Sequence, residues 1–244
     1  MAKIDKIIKK IEDIAPVETM QPWDNSGWQI NLNNKETSRI LIALDITEKT
    51  IDEAIKKKCD LIISHHPLFF NAVKNISEPF LIKAIQNNVQ IYSAHTNLDT
   101  AKNGLCEYLA HKCGFDKTNT ILEFVKYKNF NVEKNFDELI KTIKSVFCVN
   151  TLKVTNSNRK TYSSIAFCSG SGADFIKELS KLNIDVFITG DVKHHQALNA
   201  KNMSVIDLGH FNSEKIVVEI FQNILNNENV EIVISDEKQA WEYI

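Results

Sequence analysis

The sequence predicts an α/β protein built as two similar lobes in contact. Three observations carry this. Short apolar runs of strand length alternate with longer amphipathic segments of helical spacing. The run Leu61-Ile62-Ile63-Ser64 ends in His65-His66-Pro67, and Asp185-Val186-Phe187-Ile188-Thr189-Gly190-Asp191 is followed after two residues by His194-His195. Polar, ligand-type side chains thus gather at strand ends, where open α/β sheets build their sites. Finally, the order helix, strand, paired histidines, helix, strand, single histidine occurs twice, as an internal duplication would produce.

The elements follow in order. Ile4, Ile7, Ile8, Ile11 and Ile14 recur at helical spacing, and Pro16 closes that helix. Trp23-Asp24-Asn25-Ser26-Gly27-Trp28 is turn-rich and carries two large aromatics. Arg39 to Leu44 reads as a buried strand, and Thr47 caps a helix to about Lys58. After the histidine strand, Glu78-Pro79 opens a helix with proline in its first turn. Val89 to Ala94 is a strand ending in His95-Thr96-Asn97-Leu98-Asp99, and a helix from about Lys102 stops at Gly114.

From Leu122 to Asn131 the pattern alternates, and Asn135 caps a helix with Glu138 at capping-box spacing. Strands near Leu152 and Ile165 precede Gly170-Ser171-Gly172, which leads into a helix from about Ala173 to Leu182. The Val186 strand, a short helix around Ala197 and the Val205 to Leu208 strand come next. Gly209-His210-Phe211-Asn212-Ser213-Glu214 opens a long helix to about Leu225, and Val230 to Ile234 is a last strand. The expected lobes are 1–121, with 211–244 returning to it, and 122–210.

Composition narrows the function. Against 31 acidic residues stand 29 basic ones, a net charge of -2, which argues against a general nucleic-acid footprint. Five cysteines without a C-x-x-C pair sit mostly inside apolar patterns, which fits a reduced cytoplasm. The first ten residues are charged, and no apolar run approaches the roughly 18 residues of a membrane span.

Six of the seven histidines lie at the ends of four strand patterns, each beside a carboxylate or another histidine. Imidazole nitrogens and carboxylate oxygens on rigid elements are what a divalent transition metal requires. His65 and His66, neighbours on an extended segment, point in different directions, so each can serve a different ion. Asp99 lies beyond a strand end, and His210 and Glu214, four apart across a loop-to-helix junction, are close enough to converge. Each has a plainer reading. A histidine at a strand end is usually a satisfied polar group, Glu214 in a first helical turn answers the macrodipole, and Asp99 can cap a helix. His111, inside a helix pattern, is structural. Gly170-Ser171-Gly172 is as much a plain turn as an anion site, and the sequence has no G-x-x-x-x-G-K-[ST] loop.

At His65-His66-Pro67, Ala94-His95-Thr96-Asn97-Leu98-Asp99, Thr189-Gly190-Asp191-Val192-Lys193-His194-His195 and Gly209-His210-Phe211-Asn212-Ser213-Glu214 the chain closely resembles the YbgI-like family, often labelled GTP cyclohydrolase I type 2 homologues. Trp23-Asp24-Asn25-Ser26-Gly27 matches an amino-terminal motif of that family. The resemblance spans nearly the whole chain, in the short form without an inserted domain. It implies interleaved α/β lobes with mixed sheets, two divalent metal ions per subunit in the cleft between them, and self-association into a toroidal homohexamer. By position, His65 and His66 would bind separate metals, Asp99 one, His210 the other, and Glu214 would bridge them. His95, His194 and His195 would line the cavity nearby as outer-shell, substrate-contacting or catalytic groups. Ser26 stands where valine is commoner and Trp28 where leucine is commoner; neither is a proposed ligand.

Paired divalent cations activate water and stabilise a leaving oxygen or nitrogen, so metal-assisted hydrolysis is the expected reaction class. The substrate expected is a nucleotide-like small molecule, with ring opening of GTP as the version the family label suggests and His95 or His194 relaying protons. A two-metal phosphatase or phosphodiesterase, or a non-catalytic metal carrier or interaction protein, are the alternatives, because fold and site do not separate them. Iron, zinc, manganese or nickel all suit this donor set.

Overall fold

The structure is a computed structural model, and it describes residues 1–242. The fold is α/β with mixed sheets, as the sequence predicts, and it divides into two compact units: Met1–Gly104 together with the segment from Val217, and Leu105–Ile216.

The first unit is organised on a five-stranded sheet in the order Glu231–Ile234, Arg39–Ala43, Leu61–Ser64, Gln90–Ser93, Gly27–Ile30. The first four strands are parallel and the last is antiparallel. Leu61–Ser64 and Gln90–Ser93 are buried along their whole length. That is the condition of parallel strands covered on both faces, and it explains why they read as continuous apolar runs rather than alternations. The helix Ile4–Glu12 buries Ile4, Ile7, Ile8 and Ile11, and it packs against Val217–Leu225. Glu48–Lys56 begins with a capping box in which Thr47 and Thr50 satisfy each other's backbone N–H groups. Pro79 occupies the first turn of Pro79–Gln86, where a missing N–H costs nothing.

Register decides what this sheet presents. Ala43 lies opposite Ser64, and Ser64 opposite Ser93, so three parallel strands end level with one another. Asp45, His65, His66 and His95 follow those ends within two residues and emerge at the same carboxyl edge.

The second unit carries a six-stranded sheet in the order Asn119–Leu122, Val125–Asn135, Thr161–Phe167, Val186–Thr189, Ser204–Asp207, Lys153–Val154. Its three central parallel strands also end level, Phe167 opposite Ile188 and Thr189 opposite Asp207. Gly170, Asp191 and His210 follow those ends. Its core gathers Val125, Ala166, Ile176, Leu179, Phe187 and Val205.

Several boundaries differ from the sequence expectation. The helix Leu105–Lys112 groups with the second unit, whereas the sequence reading has the first lobe run to residue 121. It packs on the strands Val125–Asn135 and Thr161–Phe167 of that unit, a long-range contact that local pattern does not reveal. It also starts later than expected, because Thr96–Thr100 forms a separate short helix and Gly104 N–H turns back to the Ala101 carbonyl at 3.0 Å. The long helix expected from Gly209 to Leu225 is two helices, His210–Glu214 and Val217–Leu225, parted by a turn at Lys215-Ile216. Ile216, Val217 and Val218 are consecutive β-branched residues of modest helix propensity, so little local preference opposes the break.

Candidate metal centre

In the first unit the level strand ends bring His65, His66 and His95 together, each offering a nitrogen within 4.8 Å of the others'. The imidazole centroids of His65 and His66 are 5.1 Å apart, tilted by 41°, and His95 lies 5.1 Å and 5.4 Å from them. Backbone bonding to the neighbouring strand continues past Ser64, with His65 N–H donating to the Ala43 carbonyl at 3.3 Å and His66 N–H to the Leu44 carbonyl at 2.9 Å. His65 is fully buried, and its Nε2 stands 3.6 Å from Asp99 Oδ1. Asp99 sits in the helix Thr96–Thr100 rather than in a loop beyond the strand.

Each of these imidazoles is oriented through Nδ1. His65 Nδ1 donates to the Ala94 carbonyl at 2.9 Å, His66 Nδ1 to Asp45 Oδ1 at 2.7 Å, and His95 Nδ1 to Asp24 Oδ1 at 2.8 Å. An Nδ1–H held by an acceptor selects the neutral tautomer whose lone pair is on Nε2, the arrangement in which metal-binding histidines are usually found. Asp24 is itself anchored by Thr96 N–H at 3.1 Å and the Thr96 hydroxyl at 2.5 Å. Burial alone would lift its carboxyl, but the hydrogen bonds from His95, Thr96 and the Asn25 backbone hold it far below the usual carboxylate range. The Ser26 hydroxyl, in place of the commoner valine, lies 2.9 Å from Asp24 Oδ2 and 2.8 Å from Asn97 Oδ1, and accepts from His95 N–H. Trp28, in place of leucine, meets Tyr92 edge-on at 5.4 Å.

The second unit repeats the device. His210 Nδ1 donates to Asp191 Oδ2 at 2.7 Å, and His210 Nε2 stands 2.8 Å from Glu214 Oε2 across one turn of helix. Burial pulls the His210 imidazole down, but the hydrogen bonds and charges of Asp191 and Glu214 outweigh it and push the group up to about 10. The His210 contact in turn holds Asp191 below the ordinary carboxylate range. Glu214 is buried, and Gly170 makes room for it: a Cβ on Gly170 would lie 2.0 Å from Glu214 Oε1. Gly170 has φ +60°, and its N–H is held by the Ser213 hydroxyl at 2.9 Å. Gly190 is equally confined, since its Cβ would meet His210 N at 2.7 Å.

The donors fit a borderline divalent cation, being imidazoles oriented through Nδ1 and buried carboxylates, with no thiolate in the clusters described above. His194 and His195 are exposed in the short helix His194–Ala197, and among the described residues they join no metal-competent cluster. Sequence reasoning overlooked Asp24, Asp45 and Asp191 as the Nδ1 partners. The available signal was their place, each at a strand end or in the turn-rich stretch that precedes a strand.

The sequence profile of the family described as Duf34/NIF3 (NGG1p interacting factor 3) matches residues 2–240. The chain belongs to this family. A Duf34/NIF3 relative from Helicobacter pylori, named GTP cyclohydrolase 1 type 2, is 35% identical over 100% of both chains. One from Clostridium perfringens, named GTP cyclohydrolase 1 type 2 homolog, is 34% identical over 99% of this chain and 100% of its own. The crystal structure of Staphylococcus aureus hypothetical protein SA1388 superposes with a TM-score of 0.88 at 24% identity, over 100% of this chain and 99% of that one, which shows a shared fold. The family therefore accords with the resemblance carried by the histidine motifs. No helix among the described residues is long and apolar enough to cross a membrane.

Proposed function

We propose that this Duf34/NIF3 chain binds two divalent cations through His65, His66, Asp99, His210 and Glu214, and that it hydrolyses a nucleotide-like small molecule. The observation that carries the reading is the common orientation of His65, His66, His95 and His210. All four spend Nδ1 on a backbone carbonyl or a carboxylate, the outer-shell arrangement that fixes a ligand's tautomer and raises its basicity. His111 also spends Nδ1 on a carboxylate, Asp116 at 2.6 Å, but it stands exposed on a helix, whereas these four lie just beyond strand ends. A bound cation pair would supply Lewis-acid polarisation and an activated water.

Around that centre the chain's own groups divide the work. Asp45 and Asp191 orient His66 and His210, and Asp24 orients His95. Gly170 gives Glu214 its place. His95 is the proton carrier of this reading, and His194 and His195 meet the substrate from their exposed helix. The relatives' names supply the substrate class, ring opening of GTP being its sharpest version. A cytoplasmic homohexamer completes the proposal, and sedimentation velocity checks the assembly.

The test is elemental analysis of protein purified without added metal, followed by incubation with GTP while formate release is monitored. Two metal equivalents and formate production are expected. Glu214→Gln should stay folded yet hold less metal, whereas His194→Ala should keep its metal and lose turnover. Full metal occupancy in Glu214→Gln would refute the bridging role. Release of phosphate or nucleoside monophosphate in place of formate would move the protein to the phosphoesterases.

A further inference from the structure

Two large aromatics of the first unit stand in water beside the imidazole cluster. Trp23 is 60% exposed and Phe70 50% exposed. Both meet the same ring edge-on, Trp23 with its centroid 6.0 Å from His95 at 76° and Phe70 at 5.7 Å and 81°. What sets these two apart from other exposed apolar side chains of the chain is that both meet one imidazole of a polar cluster.

The pair is held in place. Asn25 Nδ2 donates to the Phe69 carbonyl at 2.7 Å, and Phe69 N–H donates to Gln29 Oε1 at 3.1 Å. Gln29 Nε2 donates back to the Asn25 carbonyl at 2.6 Å. Side chains two and six residues after Trp23 thus tie down the backbone adjacent to Phe70. Asp24, next to Trp23, in turn orients His95. Hydrogen bonds therefore fix the backbone beside both exposed rings and the imidazole that each of them meets.

We propose that Trp23 and Phe70 are a stacking grip for a planar heteroaromatic ring, the base of a nucleotide, which they hold beside His95. The inference rests on the nucleotide reading above and adds the part of the molecule that is gripped. A flat ring with polar edges suits two apolar faces next to imidazole nitrogens, and stacking on an aromatic face accepts any base. Two side chains are too small an area for a stable protein interface by themselves. The segment after Phe70 also exposes Val73 and Ile76, so coverage by a second copy of the chain is the rival occupant.

The experiment is calorimetric titration of the full chain, metal-loaded and metal-stripped, with guanosine 5′-monophosphate and with ribose 5-phosphate as the base-free probe. The monophosphate should bind at least about tenfold more tightly than the sugar phosphate, within the range that base stacking supplies. Trp23→Leu and Phe70→Leu should each weaken the nucleotide by about fivefold or more, leaving ribose 5-phosphate and metal content unchanged. Equal affinity for the two probes, no binding of the nucleotide, or an unchanged ratio in both variants would overturn the proposal. So would protection of Trp23 from acrylamide quenching in the ligand-free protein, the signature of coverage by a second copy; it is read in a Trp28→Phe, Trp241→Phe background. The two readings fail separately. Base-dependent binding in a chain that takes up no metal sinks only the metal centre, and full metal with no base dependence sinks only the grip.

Discussion

Replacing Gly170 with alanine tests the site more sharply than removing a ligand, because the substitution leaves every proposed ligand in the chain. The new Cβ would stand 2.0 Å from Glu214 Oε1 and 2.9 Å from its Cδ. Ordinary contact needs about 3.5 Å, so the carboxylate must retreat by roughly 1.5 Å. It is the end of a flexible side chain, so the carboxylate moves and the backbone stays. The left-handed backbone at φ +60° adds about 1–2 kcal/mol of strain for a residue with a Cβ, offset by about 0.4–1 kcal/mol from the stiffer unfolded chain. Net destabilisation of about 1 kcal/mol lowers the melting temperature by about 2–4 °C in a chain of this length. Metal affinity should fall further, by at least the 10- to 100-fold loss typical of a disturbed outer-shell partner. Gly114→Ala is the control: it also has positive φ, at +89°, but a Cβ there meets nothing within 4 Å among the described residues. It should cost similar stability and no metal. Calorimetric metal titration and thermal melts of both variants decide the matter, and wild-type affinity in Gly170→Ala would refute the cradle.

Further expectations follow from the same geometry. Asp45→Asn and Asp191→Asn should each weaken metal binding about 10- to 100-fold while the fold persists, since both carboxylates are about half exposed and act through His66 and His210; competition with a chromogenic chelator measures this. With His210 at about 10 in the metal-free protein, its Nε2 must give up a proton to serve as a ligand, so binding should strengthen with pH and release protons, as titrations in buffers of different ionisation enthalpy would register. The same raised value stabilises the metal-free fold below the unfolded pKa near 6.5, and that contribution disappears as pH rises through about 10. At Asp185, burial would raise the carboxyl, but Ser163, Ser164 and Arg159 hold it below its ordinary value. Its stabilisation is present above about pH 3.9 and fades as pH falls through the lower folded value. Asp185→Asn should therefore cost about 1–3 kcal/mol at pH 7, with a gap to wild type in urea midpoint that narrows under acid.

Much of the fold was legible in local pattern. The isoleucine spacing of Ile4–Glu12, the Thr47 cap, Pro79 at a helix start and the apolar run Leu61–Ser64 all state their elements directly, because helix and strand periodicity are short-range properties. The histidine motifs at strand ends were legible too, and so were the two aromatics of the Trp23 turn. The break between Glu214 and Val217 was not, since helical spacing continues through it and propensity opposes it only weakly.

What the sequence determined by itself is therefore the element types, the order of the motifs and the chemical nature of the donors. The tertiary structure alone decided which nitrogen each histidine presents. That depends on Asp24, Asp45, Asp191 and the Ala94 carbonyl, partners 19 to 71 positions away along the chain, a separation that no local period encodes. It alone also decided that Gly170 faces Glu214 and that Trp23 and Phe70 both meet His95. Parallel strands joined by long crossovers meet only in three dimensions, and register, not proximity in sequence, aligns their ends.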